Sequence, residues 1–246
     1  MRLTATLLLF VCATFAQKAE DSLTFEVASV KPHTADTPGQ PPRTAQDQGR
    51  IVMSNRLLRS MIIEAFGIRN FQLEHPAWMD QNRYDIVAKI PEGATKEQQR
   101  IMMRNLLTER FQLQVRRETR NLAALALVPG KGEPKLTRND APPDPDAGIK
   151  QSVRNGIITD TARQQSMAKL VTWLTGALDR PVLNETGLDG NFDFSMSWSV
   201  DTATADTDLH DALISAVQQL GLKLESRKAP VEVLIVVSAL KVPLEN

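Results

Sequence analysis

The chain has 246 residues, 42% hydrophobic, 24% charged and 5% aromatic, and its 29 Lys and Arg balance 29 Asp and Glu. That length suits one large domain or two of about 100 residues, with enough chain to bury a core. The composition excludes a collagen-like, disulfide-dense or wholly disordered chain, and zero net charge argues against nucleic acid as a partner.

Residues 1–16 read MRLTATLLLFVCATFA. Arg2 supplies a positive start, Leu7 to Val11 an apolar run, and Thr14 and Ala16 flank a small-x-small cleavage signature. This is the pattern of a secretory signal peptide removed after Ala16. No later segment approaches about 18 consecutive apolar residues, so no membrane span is expected after its removal. Cys12 is the only cysteine. Lipidation at Cys12 is the alternative to cleavage after Ala16, although Val11 stands where a small residue is normally needed. The cleaved chain has no thiol for a disulfide, a nucleophile or a zinc ligand.

An apolar strand is expected over Phe25 to Val30. Pro32 to Gly49 is poor in core-forming residues, with Pro32, Pro38, Pro41 and Pro42. A short strand from Arg50 to Met53 leads into a helix whose face is Leu57, Leu58, Met61, Ile62, Ala65 and Phe66, with Ser54 as its N-cap and Gly67 as its C-cap. Tyr84 to Lys89 alternates as a strand. A second helix starts at Thr95, with Gln98 completing a capping box. Residues 111–128 read as a hairpin whose turn is the polar break Arg116 to Arg120. The Pro-rich stretch 131–150 reads as a linker. Beyond it come a strand at Gly156 to Asp160, a helix with Met167, Leu170, Val171 and Leu174, and a strand at Asn191 to Trp198. The last helix carries Leu209, Ala212, Leu213, Ala216, Val217 and Leu220 at i, i+3, i+4, i+7 spacing. A second hairpin is expected at 222–237, turning at Ser226 to Pro230.

These elements come in two similar series. Residues 111–128 match 220–237 at an offset of 109, Tyr84-Asp85-Ile86 matches Phe192-Asp193-Phe194 at 108, and Ser60-Met61 matches Ser166-Met167 at 106. The chain therefore reads as α+β, two similar small sandwiches of order β-α-β-β-α-β-β related by internal duplication, over 23–130 and 151–246.

The inventory for catalysis is thin. His33, His75 and His210 are far apart in sequence, no HExxH occurs, and no G-x-S-x-G elbow surrounds a serine. Ser166 reads as a helix cap. Asp85 and Asp193 hold equivalent strand positions between apolar neighbours, which places them on the solvated face; a catalytic carboxylate pair is the competing reading. Arg110, Arg116, Arg117 and Arg120 form a basic cluster, and His75-Pro76-Ala77-Trp78 is a loop with an aromatic anchor. No catalytic, metal or cofactor-binding residue is assigned; His75, Trp78, Arg116 and Arg117 are the candidate interaction residues. Asn184-Glu185-Thr186 fits the glycosylation pattern.

Several segments together resemble an uncharacterised, highly paralogous family of exported proteins from soil acidobacteria. They are 25–32 (FEVASVKP), 84–89 (YDIVAK), 106–113 (LLTERFQL), 180–182 (RPV), 186–190 (TGLDG) and 221–233 (GLKLESRKAPVEV). The resemblance covers nearly the whole chain and implies a domain of unknown function with no residue roles to carry over. Some members follow a membrane-bound metallopeptidase, as sensor proteins do; its HExxH is absent here. Residues 236–243 depart from the family, whose members tend to carry an Asp-rich or His-bearing segment there. The repeat unit also looks like the short α/β modules of secretins and TonB-dependent receptors, an architectural analogy. The expectation is a secreted or periplasmic, non-catalytic binding module gripping a partner by a sheet edge or inter-domain groove. The alternatives are a hydrolase with a dispersed Asp, Glu and His site, or a sensor ectodomain acting with a separate membrane metallopeptidase.

Overall fold

The computed structural model describes residues 23–34, 41–47, 49–142, 144–199 and 207–245. The signal-peptide reading, with Cys12 and Ala16, falls outside them. The described residues are mixed α+β and form two compact units, one within 1–118 and 232–246, the other within 119–231.

In the first unit the chain runs through strands β1 (Val27–Pro32), β2 (Arg43–Asp47) and β3 (Arg50–Leu57), helix α1 (Leu58–Phe66), strands β4 (Leu73–Glu74) and β5 (Arg83–Lys89), and helix α2 (Lys96–Phe111). A four-stranded antiparallel sheet has the order β1-β5-β3-β2. Alternation along β5 turns Tyr84, Ile86 and Ala88 inward and leaves Val87 and Lys89 exposed. Leu58, Met61 and Ile62 of α1, and Leu107 and Phe111 of α2, meet that inner face and are buried to within 0% exposure. The Tyr84 ring stands edge-on to Phe111, centroids 4.9 Å apart. Gly67 ends α1 at φ 63°, as its sequence signals, and the Thr95–Gln98 capping box opens α2. Ser54 does not cap α1: the N-cap is Leu57, without a side-chain bond.

Strand β6 spans Gln114–Pro129 and leads into the second unit. There follow β7 (Thr137–Arg138), β8 (Gly148–Arg154), β9 (Ile157–Ser166), helix α3 (Met167–Ala177), β10 (Val182–Asn184), β11 (Asn191–Ser199), helix α4 (Thr207–Gln219) and β12 (Leu222–Ser238). Here the antiparallel sheet has the order β7-β11-β9-β8. Phe192, Phe194 and Met196 of β11 pack against Met167, Leu170 and Leu174 of α3 and Leu213, Ala216 and Val217 of α4.

The two expected hairpins are single long strands, a correction to the reading of 111–128 and 222–237. The breaks at 116–120 and 226–230 contain no glycine and no residue with positive φ, so nothing in them reverses the chain. Their charged side chains instead pair along the strands, Arg116 with Glu118, Arg117 with Glu232, and Arg227 with Glu225. In the first unit the end of β12 pairs in parallel with β4, Leu73 opposite Leu234, and Leu234 and Val236 enter its core. In the second, β10 pairs in parallel with β6, Val182 opposite Leu125, and Leu125 and Leu127 enter that core. Strands β2 and β8 leave no apolar signal in the sequence; β2 is exposed throughout and β8 mostly so. The stretch 131–150, read as a linker, lies within the second unit. It carries β7 and the first residues of β8, and Lys135 donates its amide to the Leu220 carbonyl at 2.8 Å.

Candidate functional site

Polar side chains converge where β3 turns into α1. Between Met53 and Arg56 the pairing of β3 with β5 slips by one residue, so Ser54 and Asn55 together oppose Asp85. Asn55 is left-handed, φ 58°. Its amide donates to Asp85 Oδ1 at 2.8 Å, and its carbonyl accepts from Arg83 at 2.9 Å. Ser54 Oγ donates to the same carboxylate at 3.0 Å. His33, just past β1, brings its Nδ1 within 2.9 and 3.0 Å of the two Asp85 oxygens. Partial burial pushes this carboxyl up, but the Asn55 amide, His33 and Ser54 together outweigh it and hold Asp85 below the usual carboxylate range.

The second unit has the same device with other side chains. Between Phe192 and Phe194 the pairing of β11 with β9 slips by one residue, and Arg163 and Gln164 oppose Asp193. Gln164 is left-handed at φ 51°, and its amide donates to Asp193 Oδ1 at 2.8 Å. Asn139 Nδ2 donates to both carboxylate oxygens, at 3.0 and 2.8 Å, where His33 stands in the first unit. The Gln164 amide bond, with Asn139, holds this carboxyl below its usual range. The Gln164 side chain anchors the preceding loop, donating to the carbonyls of Ala141 and Pro142 and accepting from the Asp144 amide.

This geometry decides what the two carboxylates do. Each holds the amide of a left-handed residue three positions before a helix, so neither is the freely solvated strand residue that alternation alone describes. Nor is the first cluster an activated nucleophile. In that arrangement a base takes the hydroxyl proton and an acid orients the base. Here Asp85 sits in the middle, and Ser54 donates to it instead of to the His33 ring.

The residues singled out from the sequence are dispersed. His75 and Trp78 lie in the turn after β4: His75 Nδ1 is 3.2 Å from the Pro76 carbonyl and Nε2 is 3.9 Å from Asp80. Trp78 packs on the first core, with Lys241 Nζ 5.9 Å from its ring centre. Arg116 and Arg117 are on β6, in the ion pairs named above. His210 meets the Leu178 carbonyl at 3.1 Å. Ser166 caps α3, accepting the Lys169 amide, and Asn184 Oδ1 accepts from the Thr186 amide and hydroxyl. Among the described residues no three His, Cys, Asp or Glu side chains group closely enough to hold a metal ion, and no helix is long and apolar enough to cross a membrane.

Sequence reasoning missed two features. Asp160 on β9 is 0% exposed, and its carboxylate is held by Trp198 Nε1 at 2.6 Å and Gln151 Nε2 at 2.9 Å. In the first unit a cavity of about 260 Å³ opens between β2, β3, α1 and α2, lined among others by Met53, Met61, Ala65, Met103 and Lys96. Small Ala65 on a helix face otherwise built of large residues is the only mark it leaves in the sequence.

Residues 59–239 match the family model described as "Protein of unknown function (DUF3738)". No curated protein and no solved structure matches the chain.

Proposed function

We propose, for a chain that belongs to the DUF3738 family, an exported, non-catalytic binding module of the cell envelope, built by duplication of one small α+β unit. The observation that carries this reading is the repeated clamp. Asn55 and Gln164, Asp85 and Asp193, and His33 and Asn139 stand 109, 108 and 106 residues apart. The polar groups that the fold gathers are engaged in holding backbone, and the position of His33, the one residue there suited to proton transfer, is an asparagine in the other unit. A scaffold repeated while its polar chemistry varies supports a role in presenting surface.

Two further points favour the reading. The N-terminal pattern of a cleaved signal peptide supports export to the periplasm or beyond. The likeness of each unit to the short α/β modules of secretins and TonB-dependent receptors suggests grip on another protein. The contact surface is an outer strand. β2 and β8 end their sheets in the two units, and β8 offers seven largely exposed residues for strand addition.

The test is capture from envelope extract on the immobilised chain, beside a variant with lysine at Val153 and Ile157, both exposed near the tip of the β8–β9 hairpin. A protein retained by the native chain and released by the variant supports strand addition. Capture of nothing above background overturns it. Turnover of ester, glycoside or peptide substrates that His33→Ala abolishes also overturns it, in favour of a hydrolase.

A further inference from the structure

The cavity of the first unit has a floor and a rim of different chemistry. The floor is Ile51, Met53, Met61, Ala65 and Met103, all buried. Thioether side chains conform to the ligand they meet, which suits a flexible aliphatic chain. The volume, about 260 Å³, falls just under that of pockets for drug-sized molecules, about 300–1,000 Å³, so the occupant is small.

Charge on the rim chooses the head group. Glu64 is neutralised by Arg56 at 3.0 Å, and Arg56 also donates to Thr44 at 2.8 Å. Arg100 shares Glu97 with Arg104, at 3.2 and 3.5 Å. Lys96, the first residue of α2, has no ion pair or hydrogen bond among the described residues, so the rim carries one uncompensated positive charge. Gln46 and Gln99 also line the cavity, Gln99 donating to the Ala94 carbonyl at 3.1 Å. Counted from the first residue of each helix, Trp173 and Leu174 of α3 hold the places that Glu64 and Ala65 hold in α1, and both pack into the second unit's core. At those two places the second unit carries core side chains where the first unit has Glu64 and small Ala65.

We infer that this cavity binds a short aliphatic carboxylate, its chain on the methionine floor and its carboxylate at Lys96. The inference deepens the reading of the chain as a binding module, since it names a small ligand for the first unit; it does not involve the outer strands.

The test is a titration of the whole chain, labelled with ¹³C at the methionine methyl groups, with hexanoate, hexan-1-ol and hexylammonium. Hexanoate is expected to shift the methyl signals of Met53, Met61 and Met103 saturably while Met167 and Met196 of the second unit stay fixed. Lys96→Gln, an exposed change that leaves the core alone, should weaken hexanoate about fivefold, the loss of one partly screened ion pair. Ala65→Leu should abolish the shifts by filling the floor. The inference is overturned if hexanoate gives no saturable shift at those three methyls, if hexylammonium binds as well as hexanoate, or if Lys96→Gln leaves the affinity unchanged. Hexanoate binding without capture of an envelope protein would overturn strand addition and leave this site standing; capture without hexanoate binding would do the reverse.

Discussion

Replacing Asp85 with alanine removes the acceptor of three hydrogen bonds at once, and the loss can be worked from the structure. The Asn55 amide bond, 2.8 Å to a carboxylate, is of the charge-assisted kind. Such bonds contribute about 1.5–3 kcal/mol, and an abandoned half-buried donor costs a similar amount. Ser54 and the His33 ring can turn toward water, so their share is smaller. The Asp85 side chain is 36% exposed, which lets water replace part of what is lost. Asn55 is left-handed in the native protein too, a backbone that asparagine tolerates, so that conformation adds nothing to the loss itself. The expected loss is about 2–3 kcal/mol, confined to the first unit. Asp85→Asn, which keeps one acceptor oxygen, should lose about 1 kcal/mol. Adding Asn55→Gly to Asp85→Ala should restore about 1 kcal/mol, because glycine adopts this backbone without strain. The assay is urea unfolding followed by NMR signals of β3 and β5 separately from those of β9 and β11. A loss below about 0.5 kcal/mol, or an equal loss in both units, would refute the clamp.

Three other outcomes follow from the same structure. Asp85 and Asp193 both sit below the ordinary carboxylate range when folded, so their stabilisation is complete above the unfolded value of about 3.9 and disappears as pH falls through the lowered folded values. Urea midpoints should be flat from about pH 5 to 7 and drop below about pH 4, less steeply for the first unit in Asp85→Asn; a midpoint that rises on acidification would contradict this. Trp198→Phe leaves buried Asp160 with Gln151 as its remaining donor among the bonds described and should cost the second unit about 1–3 kcal/mol, measured as a loss in urea midpoint for the β9 and β11 signals. Removing residues 232–246 takes Leu234 and Val236 from the first core and the Lys241 carbonyl from Tyr84 Oη. At about 1.5–3 kcal/mol for each buried side chain, against a usual total of about 5–15 kcal/mol, the first unit should lose protection from amide exchange while the second keeps it.

Much of each unit could be read locally. The faces of α1 and α3, the capping box at Thr95 and the alternation of β5 and β11 are contained in spans of a few residues, and they form as their side chains direct. The placement of Asp85 and Asp193 opposite the core also follows from alternation. Their task does not, because it depends on a slip in pairing between strands some 30 residues apart, and only Asn55, a residue type tolerant of positive φ, hints at one partner. β2 and β8 carry no apolar period, since most of their side chains face solvent, Ile149 excepted, and their stability comes largely from backbone pairing. The long strands read as hairpins because an apolar run, a polar break and another apolar run give one local pattern for both. What separates them is the partner: Leu234 pairs with Leu73, and Leu125 with Val182, and neither is nearby in the chain. The cavity is marked in the sequence by Ala65 alone, small on a helix face otherwise built of large residues.

The way β6 and β12 divide has a consequence for the newborn protein. The segment that supplies Leu234 and Val236 to the first core is made more than 100 residues after Phe111. A chain growing from its N-terminus can complete the 119–231 unit while the earlier one still shows a bare apolar seam. Of the two units, the one begun earlier is thus completed later, and until it is, anything that shields exposed oily surface, a chaperone above all, has a reason to stay bound.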